Sequence, residues 1–164
     1  MAIRFLYGNE ITLAQLVFQS SINLMMVRIQ NDLGFGNRPW TSPPAPGIPF
    51  FILHVGSGYS GMTTSARSSL FIHELTHVWQ GQHGFLYGYV FNSALHQVLS
   101  AILNGGQVSQ AYGYTAGRRW SQYATEQQAS IVADWYSPYI GKRSTGDSRY
   151  RYIRDNIRPG NPWA

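Results

Sequence analysis

Residues 70–80 read Leu-Phe-Ile-His-Glu-Leu-Thr-His-Val-Trp-Gln and contain the pattern His-Glu-x-x-His. On a helix, His73 and His77 are four positions apart, so both imidazoles project from one face and can bind one metal ion. Glu74 follows the first histidine directly, where it can act as a general base on a water molecule at the open metal position. The stretch therefore predicts a catalytic Zn²⁺ site. The alternative is a chance pentapeptide on a core helix that carries two neutral, hydrogen-bonded histidines.

The surrounding residues are typical of a buried helix. The flanking positions are apolar: Leu70, Phe71, Ile72, Leu75, Val78 and Trp79. Thr64 or Ser65 can cap the start, no proline interrupts the run, and Gly84 is a stop signal. We predict a helix over residues 67–83, held in a core so that its two histidines keep a fixed geometry.

A catalytic zinc ion usually takes three protein ligands, and the chain has no cysteine. The third ligand is therefore expected to be His, Asp, Glu or Tyr. His83 lies ten residues after His73, the spacing of a compact three-histidine site. That site requires glycine where this chain has Gln80, so on a continuous helix His83 points away from the metal.

Glu126 is the preferred third ligand because it begins a helical stretch beside the small residues Ala129 and Ala133, which allow two helices to approach closely. A buried acid needs a partner, and zinc supplies one. The alternative is an exposed acid favoured by the helix dipole. Asp134 is the second choice for the third ligand, but it lies about 80° round the same helix from Glu126 and is better placed to support a ligand histidine. We predict that it accepts the N–H of a ligand histidine.

The rest of the chain predicts an α+β fold that is mostly helical, with a small β-sheet beside the motif helix and a second, ligand-bearing helix. A Thr12 cap starts a helix over 13–19, followed by a strand within 23–30; one helix over 12–30 is the competing assignment. Proline and glycine make 31–47 a loop, and Pro49 suggests that the strand over 48–55 is an edge strand. Further helices are predicted over 90–103, 121–136 and 148–156.

Composition narrows the function classes. At 164 residues, with 15% aromatic and 12% charged residues, the chain is expected to be one ordered domain. The net charge of +5 suits an acidic partner or, preferably, a solvated surface, and no nucleic acid is expected. The absence of cysteine excludes a thiol nucleophile and disulfides. We see no signal peptide and no apolar run that would span a membrane.

Two zinc histidines on one helix and a glutamate on a later helix resemble the gluzincin branch of the zincin-like metallopeptidases. Residues 71–80, the strand before them and Glu-Gln-Gln-Ala from Glu126 resemble, more narrowly, the metallopeptidase domains at the C-terminus of type VI secretion spike proteins. This resemblance implies that residues 1–164 are one peptidase domain of a larger secreted protein. It also implies that His73, His77 and Glu126 bind zinc, with Glu74 as the general base. It further implies delivery into a target cell, with the periplasm as one site of action, and a cognate immunity protein in the producer.

The expected reaction is hydrolysis of a peptide bond in a protein or peptide substrate. The oxyanion needs a second hydrogen-bond donor, for which candidates are Tyr112, Tyr114, Tyr123, His96 and His54. Tyr114, in a segment flanked by glycines, is preferred. The strand over 50–54 is the expected edge for an extended substrate.

Two other functions stay open at this point. The first is a zinc amidase that acts on a cell-wall peptide or another envelope amide, which the positive charge would suit. The second is a basic, non-catalytic binding module.

Overall fold

The computed structural model describes residues 1–34, 37–85 and 113–163. Within them the chain has an α+β fold with four helices and a small mixed sheet. The strands are β1 (Ile3–Arg4), β2 (Val27–Gln30), β3 (Trp40–Ser42) and β4 (Phe51–His54). The helices are α1 (Gly8–Phe18), α2 (Ser68–Gln80), α3 (Thr125–Tyr136) and α4 (Tyr150–Tyr152), which continues as a wider turn over Ile153–Ile157. The predicted α+β class is confirmed, while a zincin-like architecture stays a prediction.

The sheet has the strand order β1-β2-β4-β3, with β4 in its interior. Leu53 of β4 lies opposite Ile29 of the parallel strand β2 and opposite Thr41 of the antiparallel strand β3. The prediction that Pro49 marks an edge strand is therefore wrong. Pro49 precedes the paired residues of β4, so its missing N–H removes no ladder hydrogen bond. Among the strands that the structure describes, β3, which the sequence assigned to a loop, lies at the edge on this side.

Helix α2 is built into the core, as predicted. Five of its apolar side chains have no exposed surface: Phe71, Ile72, Leu75, Val78 and Trp79. The helix contacts β3, β4, α1 and α3. At its end, a Cβ on Gly81 would lie 2.5 Å from the Phe51 ring, so only glycine allows this close approach to β4. These contacts fix the position of the histidine-bearing helix.

Helix α1 begins at Gly8 rather than behind a Thr12 cap. The buried Glu10 carboxylate explains the earlier start, because it accepts the backbone N–H of Tyr7 at 2.8 Å. Arg4 holds the same carboxylate with two hydrogen bonds of 2.8 and 2.9 Å. The helix start is thus fixed by an ion pair with β1, a contact that the local sequence pattern does not reveal.

The single helix over 12–30 is wrong, because Gln19 has φ 52° and ends α1 at Phe18. The alternative strand within 23–30 is confirmed as β2. Near the motif, α2 begins at Ser68, whose N–H donates to the backbone carbonyl of Thr64 at 2.8 Å, so no threonine or serine side chain caps it. The chain leaves α2 through a wider turn over Gly81–Phe85, in which Gly84 has φ 101°, as the stop signal predicts.

The later helices agree in part with the sequence. α3 starts at Thr125 instead of residue 121 and ends before Pro138. α4 and its following turn cover residues 150–157, which largely overlap the helix predicted over 148–156. The helix predicted over 90–103 lies outside the described residues. Of the helices in residues 1–34, 37–85 and 113–163, none has the length and apolarity needed to cross a membrane.

Candidate metal centre

His73 and His77 lie one turn apart on α2, and their rings meet edge to face with centroids 5.0 Å apart. The side chain of His77 is 4% exposed and that of His73 is 14% exposed. The i, i+4 spacing produces this juxtaposition, because such positions stack on one helix face. Both rings turn their Nε2 atoms toward α3.

Glu126, in the first turn of α3, completes the cluster. Its Oε2 lies 3.2 Å from His73 Nε2 and its Oε1 lies 3.4 Å from His77 Nε2. One ligand atom from each of the three residues lies within 4.8 Å of the others. Ala129 and Ala133 of α3 are both buried, and α3 packs against α2.

The spacing of these atoms suits a zinc ion. Around a tetrahedral ion with bonds of about 2.05 Å, neighbouring ligand atoms are about 3.4 Å apart. The observed separations of 3.2 and 3.4 Å, each to a different oxygen of Glu126, are close to this value. Two imidazoles and one carboxylate are also a donor set found at catalytic zinc sites with an open fourth position. The residues present therefore fit zinc in their donor chemistry, and their ligand atoms lie close enough together to share one ion.

Gln80 fixes the tautomer of His77. The Gln80 Nε2 donates to the Thr125 carbonyl at 3.0 Å, and a carbonyl can only accept, so the amide orientation is determined. The Gln80 Oε1 then lies 2.8 Å from His77 Nδ1, which must carry the hydrogen. In the neutral ring this leaves the lone pair on Nε2, the atom that faces Glu126. Gln128 extends the network, accepting from Gln80 at 2.9 Å and donating to the Trp120 carbonyl at 3.0 Å.

Charge coupling within the cluster is strong. Burial by itself lowers the pKa of His77, but attraction and hydrogen bonding to the Glu126 carboxylate outweigh it and raise the pKa to about 9. Burial raises the pKa of Glu126, and the two histidines reverse this, holding it well below its usual range. In the metal-free protein the carboxylate is thus ionised and His77 is protonated at neutral pH. A metal ion must displace the His77 Nε2 proton in order to bind.

Glu74 lies on the same helix as the two histidines, and a residue of the sheet holds its side chain by a hydrogen bond. Glu74 is 4% exposed, and its Oε2 accepts a 2.7 Å hydrogen bond from the Thr41 hydroxyl on β3. Glu74 lies between the two histidines in sequence, and its side chain points about 100° round the helix from that of His73. Glu74 thus lies next to the cluster but is not one of its three converging residues, His73, His77 and Glu126.

The structure does not bring Asp134 to either ligand histidine, because Asp134 pairs elsewhere. Its Oδ2 accepts the Tyr114 hydroxyl at 2.6 Å and lies 3.7 Å from the Arg149 guanidinium. The acceptor at His77 Nδ1 is Gln80 instead. Rotation about a helix axis predicted the face of Asp134 but not the segment across from it, which is supplied by residues 113–117.

Tyr114 is engaged by the same contact. Burial and its hydrogen bond to Asp134 raise the pKa of Tyr114, so the hydroxyl keeps its proton at neutral pH. That proton points to Asp134 in this structure, so Tyr114 would have to release it in order to serve an oxyanion.

The other candidates have different partners. His83 stacks on Trp79 with ring centroids 4.6 Å apart, and its Nδ1 lies 2.8 Å from the Trp79 carbonyl. It is not part of the convergent cluster. The Tyr123 hydroxyl donates to the Thr115 carbonyl at 2.7 Å. His54 pairs with Asp32 at 2.7 Å. Tyr112 and His96 lie outside the described residues.

Sequence reasoning missed Thr41, Gln80 and Gln128. Gln80 carries a detectable signal, because it lies three positions after His77 on the same helix face. Gln128 stands two positions after Glu126 in a stretch already identified as a ligand helix. Thr41 gives no local signal, since its short strand directly follows Pro39 and precedes a proline-rich segment, and its contact with Glu74 spans 33 residues.

Comparison with known proteins gives two matches, while no family profile matches the chain. The chain is 33% identical over 166 aligned residues to the type VI secretion system spike protein VgrG2b of Pseudomonas aeruginosa. The alignment covers 96% of this chain and 15% of that protein, so the chain spans only a small part of the length of the spike. A solved structure, the effector domain of Pseudomonas aeruginosa VgrG2b, aligns over 92% of this chain and 82% of its own, with 30% identity and a TM-score of 0.62. The chain therefore belongs to the family of the VgrG2b effector domain, among the effector domains of type VI secretion spike proteins.

Proposed function

We propose that this domain is a zinc-dependent peptidase that acts as the toxic part of a type VI secretion effector. The observation that carries the proposal is the convergence of His73, His77 and Glu126 beside the buried carboxylate of Glu74. Two imidazoles and a carboxylate leave a tetrahedral zinc ion one position for water or substrate. A fixed glutamate one residue from the first ligand is suited to proton transfer there.

The chain's own groups would divide the work as follows. His73, His77 and Glu126 would hold the ion, with Gln80 keeping the His77 lone pair on Nε2. When bound, zinc would supply Lewis acidity, lowering the pKa of water toward about 7 and polarising the substrate carbonyl. Glu74 would accept a proton from the attacking water and then deliver it to the leaving amine.

The substrate edge proposed from the sequence needs revision. β4 has partners on both sides, so it cannot add a further strand. β3 ends the sheet order within the described residues, and its Thr41 touches the proposed general base. An extended peptide that pairs with β3 would therefore pass the proposed reaction centre, by the same β-augmentation that other peptide-binding proteins use.

The family assignment supports delivery of the domain into a target cell as part of a secretion spike. Within that proposal the substrate is a protein or peptide that the target cell needs, and the periplasm is the proposed compartment. A producer of such a toxin would need a cognate immunity protein to protect itself from neighbouring copies.

Elemental analysis and hydrolysis assays on one preparation test this proposal. The purified domain should hold about one zinc ion per chain, and the double variant His73→Ala, His77→Ala should hold none. The wild type should cleave casein or another unfolded protein, and Glu74→Gln should keep zinc but lose hydrolysis. Cleavage of isolated wall peptides with casein untouched would replace the peptidase proposal by the envelope amidase. A metal-free wild type would contradict both.

A further inference from the structure

We propose that Thr41 is a positioning residue that orients the Glu74 carboxylate for proton transfer, an inference that rests on the proposed peptidase function. The Thr41 hydroxyl lies 2.7 Å from Glu74 Oε2 and 3.2 Å from the backbone carbonyl of the same residue. A hydroxyl has one hydrogen, and the shorter distance and the negative charge assign that hydrogen to the carboxylate. Thr41 is 1% exposed, so water does not compete for this contact.

The contact gives the two carboxylate oxygens different roles. A glutamate side chain has three rotatable bonds, and a hydrogen bond to one oxygen restricts all of them. With Oε2 accepting from Thr41, Oε1 is the oxygen to which residues 1–34, 37–85 and 113–163 donate no hydrogen bond, and it is the oxygen that would receive a proton from water. A general base held in one orientation reaches the reacting geometry more often than a freely rotating one.

Thr41 can orient Glu74 only if β3 itself is held in place. Contacts on the face of β3 opposite to Thr41 hold the strand. Strand alternation directs Trp40 and Ser42 away from the face of Thr41. His54 joins them, because its ring stacks on Trp40 with centroids 4.5 Å apart and its Nε2 lies 3.0 Å from the Ser42 hydroxyl. The other ring nitrogen of His54 lies 2.7 Å from Asp32. The Asp32–His54–Ser42 row and the ladder to β4 thus fix the strand on both sides of Thr41.

This arrangement links two parts of the proposed reaction. β3 is the edge on which an extended substrate would pair, and it also carries the hydroxyl that orients the general base. Substrate register and base orientation are therefore set by one strand. Because Thr41 touches Glu74 and does not belong to the metal cluster, its loss should affect turnover more than zinc or substrate binding.

The test compares Thr41→Val, Thr41→Ser and Thr76→Val in the zinc-loaded domain, with an unfolded protein substrate. Valine keeps the shape of threonine without the hydroxyl, and serine keeps the hydroxyl without the methyl group. Thr76 is the matched control because its hydroxyl is equally buried on α2 but donates to the Ile72 carbonyl at 2.8 Å. For each variant, kcat, KM, bound zinc and Tm are measured.

We expect Thr41→Val to keep one zinc ion and a KM near that of the wild type while kcat falls by about 10–100-fold. Thr41→Ser should restore most of kcat, and Thr76→Val should keep it. Three results would overturn the inference without affecting the proposed peptidase function of the wild type. They are an unchanged kcat in Thr41→Val, a loss of zinc from Thr41→Val, and a Thr41→Ser variant as slow as Thr41→Val. A zinc-loaded wild type without hydrolysis would instead overturn the proposed function, and this inference with it.

Discussion

Replacing Gln80 by methionine should weaken zinc binding by about 10–100-fold, because residues that orient a metal-binding histidine contribute on that scale. Gln80 makes three hydrogen bonds, to His77 at 2.8 Å, to Thr125 at 3.0 Å and to Gln128 at 2.9 Å, of which the first and the last are buried. Methionine has a similar length but offers no acceptor for the His77 Nδ1 hydrogen. The imidazole then loses the contact that keeps its lone pair on Nε2.

The stability change of the metal-free protein can be worked out from the same contacts. Three lost hydrogen bonds at about 1 kcal/mol each lower the free energy of unfolding by about 3 kcal/mol. For a chain of this size, about 1 kcal/mol corresponds to about 2–4 °C, so Tm should fall by about 6–12 °C. Thermal unfolding of the metal-free protein measures this change, and competition with a chromophoric chelator measures zinc affinity.

Two matched variants separate orientation from general destabilisation. Gln80→Glu keeps an acceptor for His77 but loses the donor to Thr125, so it should bind zinc near the wild-type affinity and still melt at a lower temperature. Gln82→Met removes a nearby amide that pairs with the backbone of Asn23 and should leave zinc affinity unchanged. If Gln80→Met binds zinc as tightly as the wild type, or Gln80→Glu loses zinc equally, the tautomer argument is refuted.

Three further predictions follow from the geometry and charges of the cluster. Zinc binding at pH 7 should release about one proton, because His77 has a pKa of about 9 in the metal-free protein; calorimetry in buffers of different ionisation enthalpy measures this, and equal heats in all buffers would contradict it. The pKa of His77 is higher in the folded, metal-free protein than in the unfolded chain, so protonated His77 stabilises the fold fully below pH 6.5, and this stabilisation is lost as pH rises toward 9. The Tm of the metal-free protein should therefore fall between pH 6.5 and 9, while zinc affinity rises. Asp134→Ala should retain wild-type zinc affinity because Asp134 pairs with Tyr114, and a chelator titration that shows a tenfold loss would restore Asp134 as a partner of the ligand histidines.

Local patterns predicted the parts of this molecule that depend on local geometry. The helical spacing of His73 and His77 determines that they share a face, and an acid beside small residues pointed to Glu126. The structure brings these three residues together, although their binding of zinc stays a prediction. The apolar residues around the motif likewise predicted a buried helix, and Gly84 predicted its end. The structure ends α2 at Gln80 and places Gly84 in the turn that follows.

Features that depend on distant partners were missed. Pro49 suggested an edge strand, yet the position of β4 in the sheet is decided by pairing with β2 and β3, and both partners are separated from it in sequence. Trp40–Ser42 is too short and too close to proline to indicate a strand, and only pairing with β4 makes it one. The start of α1 was misplaced because the ion pair between Arg4 and Glu10 stabilises it from outside the helix.

The most direct test of the central claim is a single chelator titration of wild type, Glu126→Ala and His83→Ala. The claim is that the metal site consists of His73, His77 and Glu126, whose carboxylate oxygens lie 3.2 and 3.4 Å from the two histidines. Glu126→Ala should release zinc to a mild chelator, since two histidines alone do not complete a site. His83→Ala should retain zinc, because His83 stacks on Trp79 away from the cluster. A His83→Ala variant that loses zinc while Glu126→Ala keeps it would contradict the account and indicate a three-histidine site.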